Sequence, residues 1–258
     1  MITSFFHAIL YQPLYNLMVG LYNILPGHDV GLVILVVTII IRLIVYPLTS
    51  KSIKSQKSLQ ELQPKMAEIK EKYKTDQQKQ AQAIMELYKN NKVNPFASCL
   101  PLLIQLPILI ALYWVLRDAL SSKDIANQLY PFIANPGTIN PVSLGLFNLQ
   151  QPNFVLAILA GGAQFIQTKM LMSKRPPKAA GAGGKDENMM AMMNKQMLYF
   201  MPIMTVVIGI SLPAGLTLYW FWSTILMALQ QYILMRKDKK TTGPENVIEG
   251  KIEEPDKK

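Results

Sequence analysis

Residues 31–50 read GLVILVVTIIIRLIVYPLTS, an apolar run broken by a single charge, Arg42. As a helix rising ~1.5 Å per residue, such a run nearly matches the ~30 Å hydrocarbon core of a bilayer. The stretch therefore predicts a transmembrane helix. An arginine inside such a helix costs from ~2.5 kcal/mol on insertion scales to more than ~10 in simulations, so it must face protein or water rather than lipid. On a helix of 3.6 residues per turn, Thr38, Tyr46 and Thr49 share its face, giving one polar stripe on an apolar cylinder.

Working outward, the rest of the chain follows the same design. Half of its 258 residues are hydrophobic, and they are bunched into long blocks instead of being spread at core periodicity. Further spans are expected at 95–116, kinked by Pro101 and Pro107, and at 152–172, softened by Gly161 and Gly162. The last two, 196–212 and 215–235, form a tight hairpin across Pro213-Ala214. Between residues 51 and 94, Leu59, Leu62, Met66, Ile69 and Tyr73 recur at three- and four-residue steps, followed by Ala81, Ile84, Leu87 and Tyr88. That pattern predicts a polar helical hairpin with one apolar seam. Residues 1–30 carry helical apolar spacing and three tyrosines but are interrupted by Gln12, Pro13 and Asn16, which favours an amphipathic helix in the outer interface over a sixth span. No cleavable leader pattern precedes it. Loops are expected at 117–151 and at 173–195, which holds methionines at 189, 190, 192 and 193, with a disordered tail at 236–258. The fold class is an all-α polytopic membrane protein with five transmembrane helices.

Loop charge sets the orientation. Lys and Arg number none in 1–30, ten in 51–94, two in 117–151, five in 173–195 and seven in 236–258. By the positive-inside bias the N-terminus lies outside and the C-terminus in the cytoplasm. The net charge of +10 thus belongs to topology, and without a basic, aromatic-interleaved module no nucleic-acid substrate is expected. Cys99 has no partner cysteine, and His7 and His28 are too far apart to read as ligands, so no metal and no cofactor is expected. No nucleotide-binding, zinc-protease or nucleophile-elbow motif occurs, so no catalytic residue is assigned.

Polar stripes recur on the other spans: Asn94, Ser98 and Gln105; Gln164 and Gln167; Thr217, Trp220, Thr224 and Gln231. Helices striped in this way can bundle around a hydrophilic interior, or the same residues can serve as interhelical glue. No Asp or Glu lies in any expected span, so Arg42 has no intramembrane carboxylate within the chain and its counter-charge must come from elsewhere. A small-anion transporter using Arg42 and a static assembly scaffold are the rival functions.

Residues 42–49 (RLIVYPLT), 62–65 (LQPK), 93–95 (VNP) and 99–108 (CLPLLIQLPI), together with 213–216 (PAGL) and 218–220 (LYW), resemble the YidC-type membrane protein insertases, over essentially the whole chain from Tyr11 to Met235. The resemblance is to the short form without a large extracytoplasmic domain. It implies a hydrophilic groove, closed on the outer side, with Arg42 inside and Gln167 and Trp220 as further groove residues; the polar stripes add Thr38, Tyr46, Gln105, Gln164 and Thr224 as candidates for the same groove. It also implies a cytoplasmic hairpin needed for activity, and a non-enzymatic insertase and chaperone in the bacterial cytoplasmic membrane. The partners it implies are nascent membrane proteins and membrane lipid, with the ribosome, a targeting factor and the Sec translocon as candidates, the chain itself acting as a monomer.

Overall fold

A computed structural model describes residues 2–98, 100–121, 125–171 and 196–241. Cys99, the methionine cluster and the tail beyond residue 241 fall outside the described residues. In chain order the helices are α1 (Ile2–Phe6), α2 (Gln12–Ile24), α3 (Val30–Glu61), α4 (Gln63–Lys72), α5 (Gln77–Asn90), α6 (Leu100–Leu120), α7 (Ile125–Gln128), α8 (Phe154–Leu171), α9 (Met201–Gly209) and α10 (Ala214–Thr241), with one antiparallel hairpin, β1 (Val142–Ser143) and β2 (Phe147–Asn148). Among the described residues three helices can cross a membrane by length and apolar composition: α3, α6 over Leu103–Leu120, and α8. The apolar helix over Leu198–Gly209 is shorter. α10 is long but less apolar, because its buried faces carry Thr217, Ser223, Thr224, Gln230 and Gln231. The molecule is a helical membrane protein.

The start of α3 is written locally. Pro26-Gly27 turns the chain with Gly27 at φ +78, and Asp29 caps the helix by accepting from the Leu32 amide at 3.0 Å. Its 32 residues are ~48 Å of helix, well beyond a ~30 Å hydrocarbon core. The expected boundary at residue 50 is therefore a change of surroundings and not a helix end. Lys, Ser and Gln sustain a helix as well as apolar residues do, and the break waits for Leu62, where Pro64 disfavours helical backbone just upstream and opens α4 instead. α4 and α5 then fold back on each other, with the Tyr88 hydroxyl donating to Met66 Sδ at 3.3 Å and the Gln80 amide donating to the Lys70 carbonyl at 3.2 Å. Of the seam residues only Leu62 is buried; Leu59, Met66, Ile69, Tyr73, Ile84 and Leu87 are half-buried. At the other end of the chain the helix of α10 continues to Thr241, so the first residues of the expected disordered tail are helical.

The core lies between α2, α3, α6 and α10, around Tyr15, Met18, Val19, Val33, Val37, Val115 and Tyr219. α2 spends its apolar face on this core, and its polar residues hold the loop after α6. Asn16 donates to the Gln128 carbonyl at 2.9 Å and accepts from the Tyr130 amide at 2.6 Å, while the Tyr22 hydroxyl accepts from the Asn140 amide at 3.1 Å. A second contact joins α8 and α9 through glycine. A Cβ on Gly161 would stand 2.4 Å from Val206 Cγ2 and one on Gly209 3.1 Å from Ala157 Cβ, the close backbone approach that small residues allow between membrane helices.

Candidate functional site

α3 and α10 run parallel, and one sequence offset describes their contact. Ile34 meets Gly215, Arg42 meets Ser223 and Thr49 meets Gln230, each pair 181 residues apart. Steps of eight and seven residues return each helix to the same face, so the two pack as a near-heptad seam. Arg42 stands in the middle of it. Its Nε and one terminal nitrogen donate to Ser223 Oγ at 3.1 and 2.6 Å. A guanidinium carries five N–H donors, so the remaining three find no protein acceptor among the described residues, and no carboxylate pairs with it there.

The cluster extends through Tyr219. Its hydroxyl, within reach of Ser223 one turn along α10, accepts from the Gln105 amide of α6 at 2.7 Å. Below, the Gln230 side chain reaches the Tyr46 carbonyl at 3.2 Å and the hydroxyls of Thr49 and Ser50 at 2.9 Å, supplying donors in the turn where Pro47 interrupts the helix ladder. Arg42 also marks a change in burial along α3. Val30, Val33, Ile34, Val37, Thr38 and Ile41 are buried before it, with Leu32 and Ile39 exposed; Leu43, Ile44, Tyr46, Pro47 and Leu48 are exposed after it, and burial resumes at Thr49, Ser52 and Ile53. The cation sits where the apolar plug ends.

Of the sequence-expected site residues, the structure brings Arg42 and Gln105 into one hydrogen-bonded group. Thr38 is fully buried with its hydroxyl donated to the Ile34 carbonyl at 2.5 Å, and Tyr46 is exposed beyond Arg42. Thr224 donates to the Trp220 carbonyl at 2.9 Å, Gln167 is buried and Gln164 half-buried on α8, and none of these four hydrogen-bonds Arg42. Helix rotation explains the division. Thr217 donates to the Gly209 carbonyl at 3.2 Å at the turn between α9 and α10, and Thr224 bonds within its own helix, while Tyr219 meets Gln105 of α6 and Ser223 and Gln230 meet α3. Tyr219, Ser223 and Gln230 are the residues that stripe-reading missed. Their own spacing of four and seven was the available signal.

Among the described residues no His, Cys, Asp or Glu group could hold a metal ion. The 60Kd inner membrane protein family matches residues 21–241. The membrane protein insertase YidC of Fusobacterium nucleatum is 39% identical over 207 residues, covering 80% of this chain and 86% of that protein. Those of Francisella philomiragia and Shewanella halifaxensis are each 36% identical, over 82% and 86% of this chain but only 33% and 36% of their own length, so the chain spans about a third of these longer relatives. A lone membrane-depth cation on a seam of parallel helices thus sits within a match that runs through almost every described element, and the chain belongs to the 60Kd inner membrane protein family as a membrane protein insertase of the YidC type, not an enzyme.

Proposed function

We propose that the chain inserts newly made membrane proteins through a hydrophilic groove between five core helices, α3, α6, α8, α9 and α10, with Arg42 as the charge that receives the substrate. The observation that carries this reading is the open valence of Arg42: three donors without an acceptor among the described residues, at a depth of ~18 Å from the first residue of α3. A carboxylate on the translocated tail of a substrate supplies the missing counter-charge, and a guanidinium binds it in bidentate fashion. The buried residues from Val30 to Ile41 close the outer side, and the exposed turn after Arg42 is the mouth toward the cytoplasm and lipid.

The sequence of events follows from solvation. The α4–α5 hairpin receives the nascent segment, and the groove solvates its polar tail. The apolar part then partitions into lipid, where each buried CH₂ contributes ~0.8 kcal/mol, so no nucleotide hydrolysis is needed. The ribosome, a targeting factor and the Sec translocon are the partners that fit delivery at the basic cytoplasmic side, and one chain holds the whole site. The test is reconstitution in vesicles with substrates whose translocated tails carry or lack an acidic residue. Arg42→Ala abolishes insertion of the acidic-tailed substrate and spares the neutral one, and Arg42→Lys retains part of it. Full insertion by Arg42→Ala overturns the proposal, and uptake of a small anion in place of insertion would indicate a transporter.

A further inference from the structure

The outer loop carries an apolar feature that the insertion site does not use. Residues 125–153 contain no Asp, Glu, Lys or Arg, although 16% of the chain as a whole is charged. Within them β1 and β2 form a hairpin whose turn includes Leu144-Gly145, both at positive φ, +52 and +69. The loop between paired Ser143 and Phe147 is Leu144-Gly145-Leu146, and a positive φ at its first position favours Asn, Asp or Gly. Here a leucine takes it, in a conformation bulky residues avoid, and the side chain gains no burial in return: Leu144 is 75% and Leu146 76% exposed. Phe132, in the same uncharged stretch, is 81% exposed.

The height of this tip is fixed by hydrogen bonds. The Leu144 amide donates to Asp29 Oδ2 at 2.5 Å and the Ser143 hydroxyl to Asp29 Oδ1 at 2.7 Å. Asp29 is the cap of α3, immediately before the apolar run begins, so the tip is held at the level where hydrocarbon meets headgroups. The base of the hairpin is fixed as well, the Leu149 carbonyl accepting from the Gly215 amide at 2.9 Å at the start of α10. The gap between Gly31 and the hairpin is closed too, since a Cβ on Gly31 would fall 2.1 Å from Ser143 Oγ. The hairpin is thus a bracket across the outer ends of α3 and α10, presenting two exposed leucines at its tip.

We infer that the Leu144–Leu146 tip is a lipid-binding anchor that inserts into the outer leaflet at the acyl-chain boundary and fixes the depth of the α3–α10 seam. An uncharged loop can enter this zone without desolvating ions, and its amide and hydroxyl side chains suit the headgroup layer. The anchor is measured in full-length protein carrying Cys99→Ser and Leu146→Cys, labelled with an environment-sensitive nitrobenzoxadiazole and reconstituted in phosphatidylethanolamine and phosphatidylglycerol vesicles. The same label at Thr75→Cys, in the exposed turn between α4 and α5, is the aqueous reference. The label at 146 emits at shorter wavelength than the reference and is quenched roughly threefold more by lipid bearing a nitroxide high on its acyl chain than by aqueous iodide. Adding Leu144→Ser lowers the nitroxide quenching. Iodide quenching equal to that at 75 overturns the inference, a blue shift without nitroxide quenching places the tip against protein and overturns it equally, and quenching unchanged by Leu144→Ser removes the leucine pair as its cause.

Discussion

Arg42 holds one hydroxyl with two of its donors, and that hydroxyl is what aims it. Ser223→Ala keeps the charge and removes the aim. Insertion of an acidic-tailed substrate in reconstituted vesicles should fall by up to ~10-fold, since a hydrogen bond to a charged group contributes ~1.5 kcal/mol or more and the freed donors can turn to water. The loss should be smaller than for Arg42→Ala, and a larger one would mean that Ser223 does more than orient. Arg42 was legible in the sequence because a charge in an apolar run has few bland explanations. Ser223 was not, because a serine in a membrane helix is ordinary and its partner lies 181 residues away. Asp29 offers a second residue-scale outcome. Burial pushes its carboxyl up, but the donors Leu144, Ser143, Leu32 and Gly31 outweigh that and hold it below the ordinary carboxylate value. A lowered pKa stabilises above the unfolded value of ~4 and the benefit is lost as pH falls through the folded one. Asp29→Asn should therefore lower the melting temperature in detergent at pH 7, and the difference from the parent should narrow as pH falls below the ordinary carboxylate value.

At the scale of elements, the α8–α9 contact turns on which of two adjacent glycines faces it. A Cβ at Gly161 would stand 3.0 Å from the Pro202 carbonyl oxygen, backbone that cannot yield as a side chain can, besides its clash with Val206; at Gly162 nothing lies within 4 Å. Gly161→Ala should therefore destabilise by ~1–3 kcal/mol as overpacking does. Gly162→Ala should be neutral or stabilise by up to ~1 kcal/mol through helix propensity. Thermal unfolding of both variants in one detergent decides it, and equal melting temperatures would count against the observed packing. Glycine pairs are visible in sequence; which member faces the neighbour is not, because that depends on the rotation of α8 about its axis. The same limit applies to α10, where Thr217 and Thr224 of the stripe chosen from sequence bond the Gly209 and Trp220 carbonyls and the neighbouring Ser223 meets Arg42. Helix ends were misread for a different reason. Apolar runs report where lipid stops, and α3 continues past that point to Glu61 because nothing before Pro64 opposes a helix.

For the whole molecule, orientation decides whether the open side of the Arg42 cluster faces the compartment where substrates are made. The burial pattern has a direction: the plug of Val30 to Ile41 lies toward Asp29 and the uncharged bracket, while the exposed turn after Arg42 lies toward the α4–α5 hairpin. Ten Lys and Arg between residues 51 and 94, against two between 117 and 151, are the charge difference on which we propose the hairpin in the cytoplasm and the bracket outside. Both features depend on the same axis, since parallel α3 and α10 place Arg42 and Gln230 progressively deeper from one starting surface. In a Cys99→Ser background a membrane-impermeant maleimide should label Thr138→Cys in intact cells and leave Thr75→Cys unlabelled until the membrane is opened, both positions being exposed. The reverse pattern would turn the mouth of the groove away from the ribosome, and an arginine there could not meet a tail arriving from the cytoplasm. Labelling of both sites in intact cells would mean two orientations, which the charge difference between the loops should prevent.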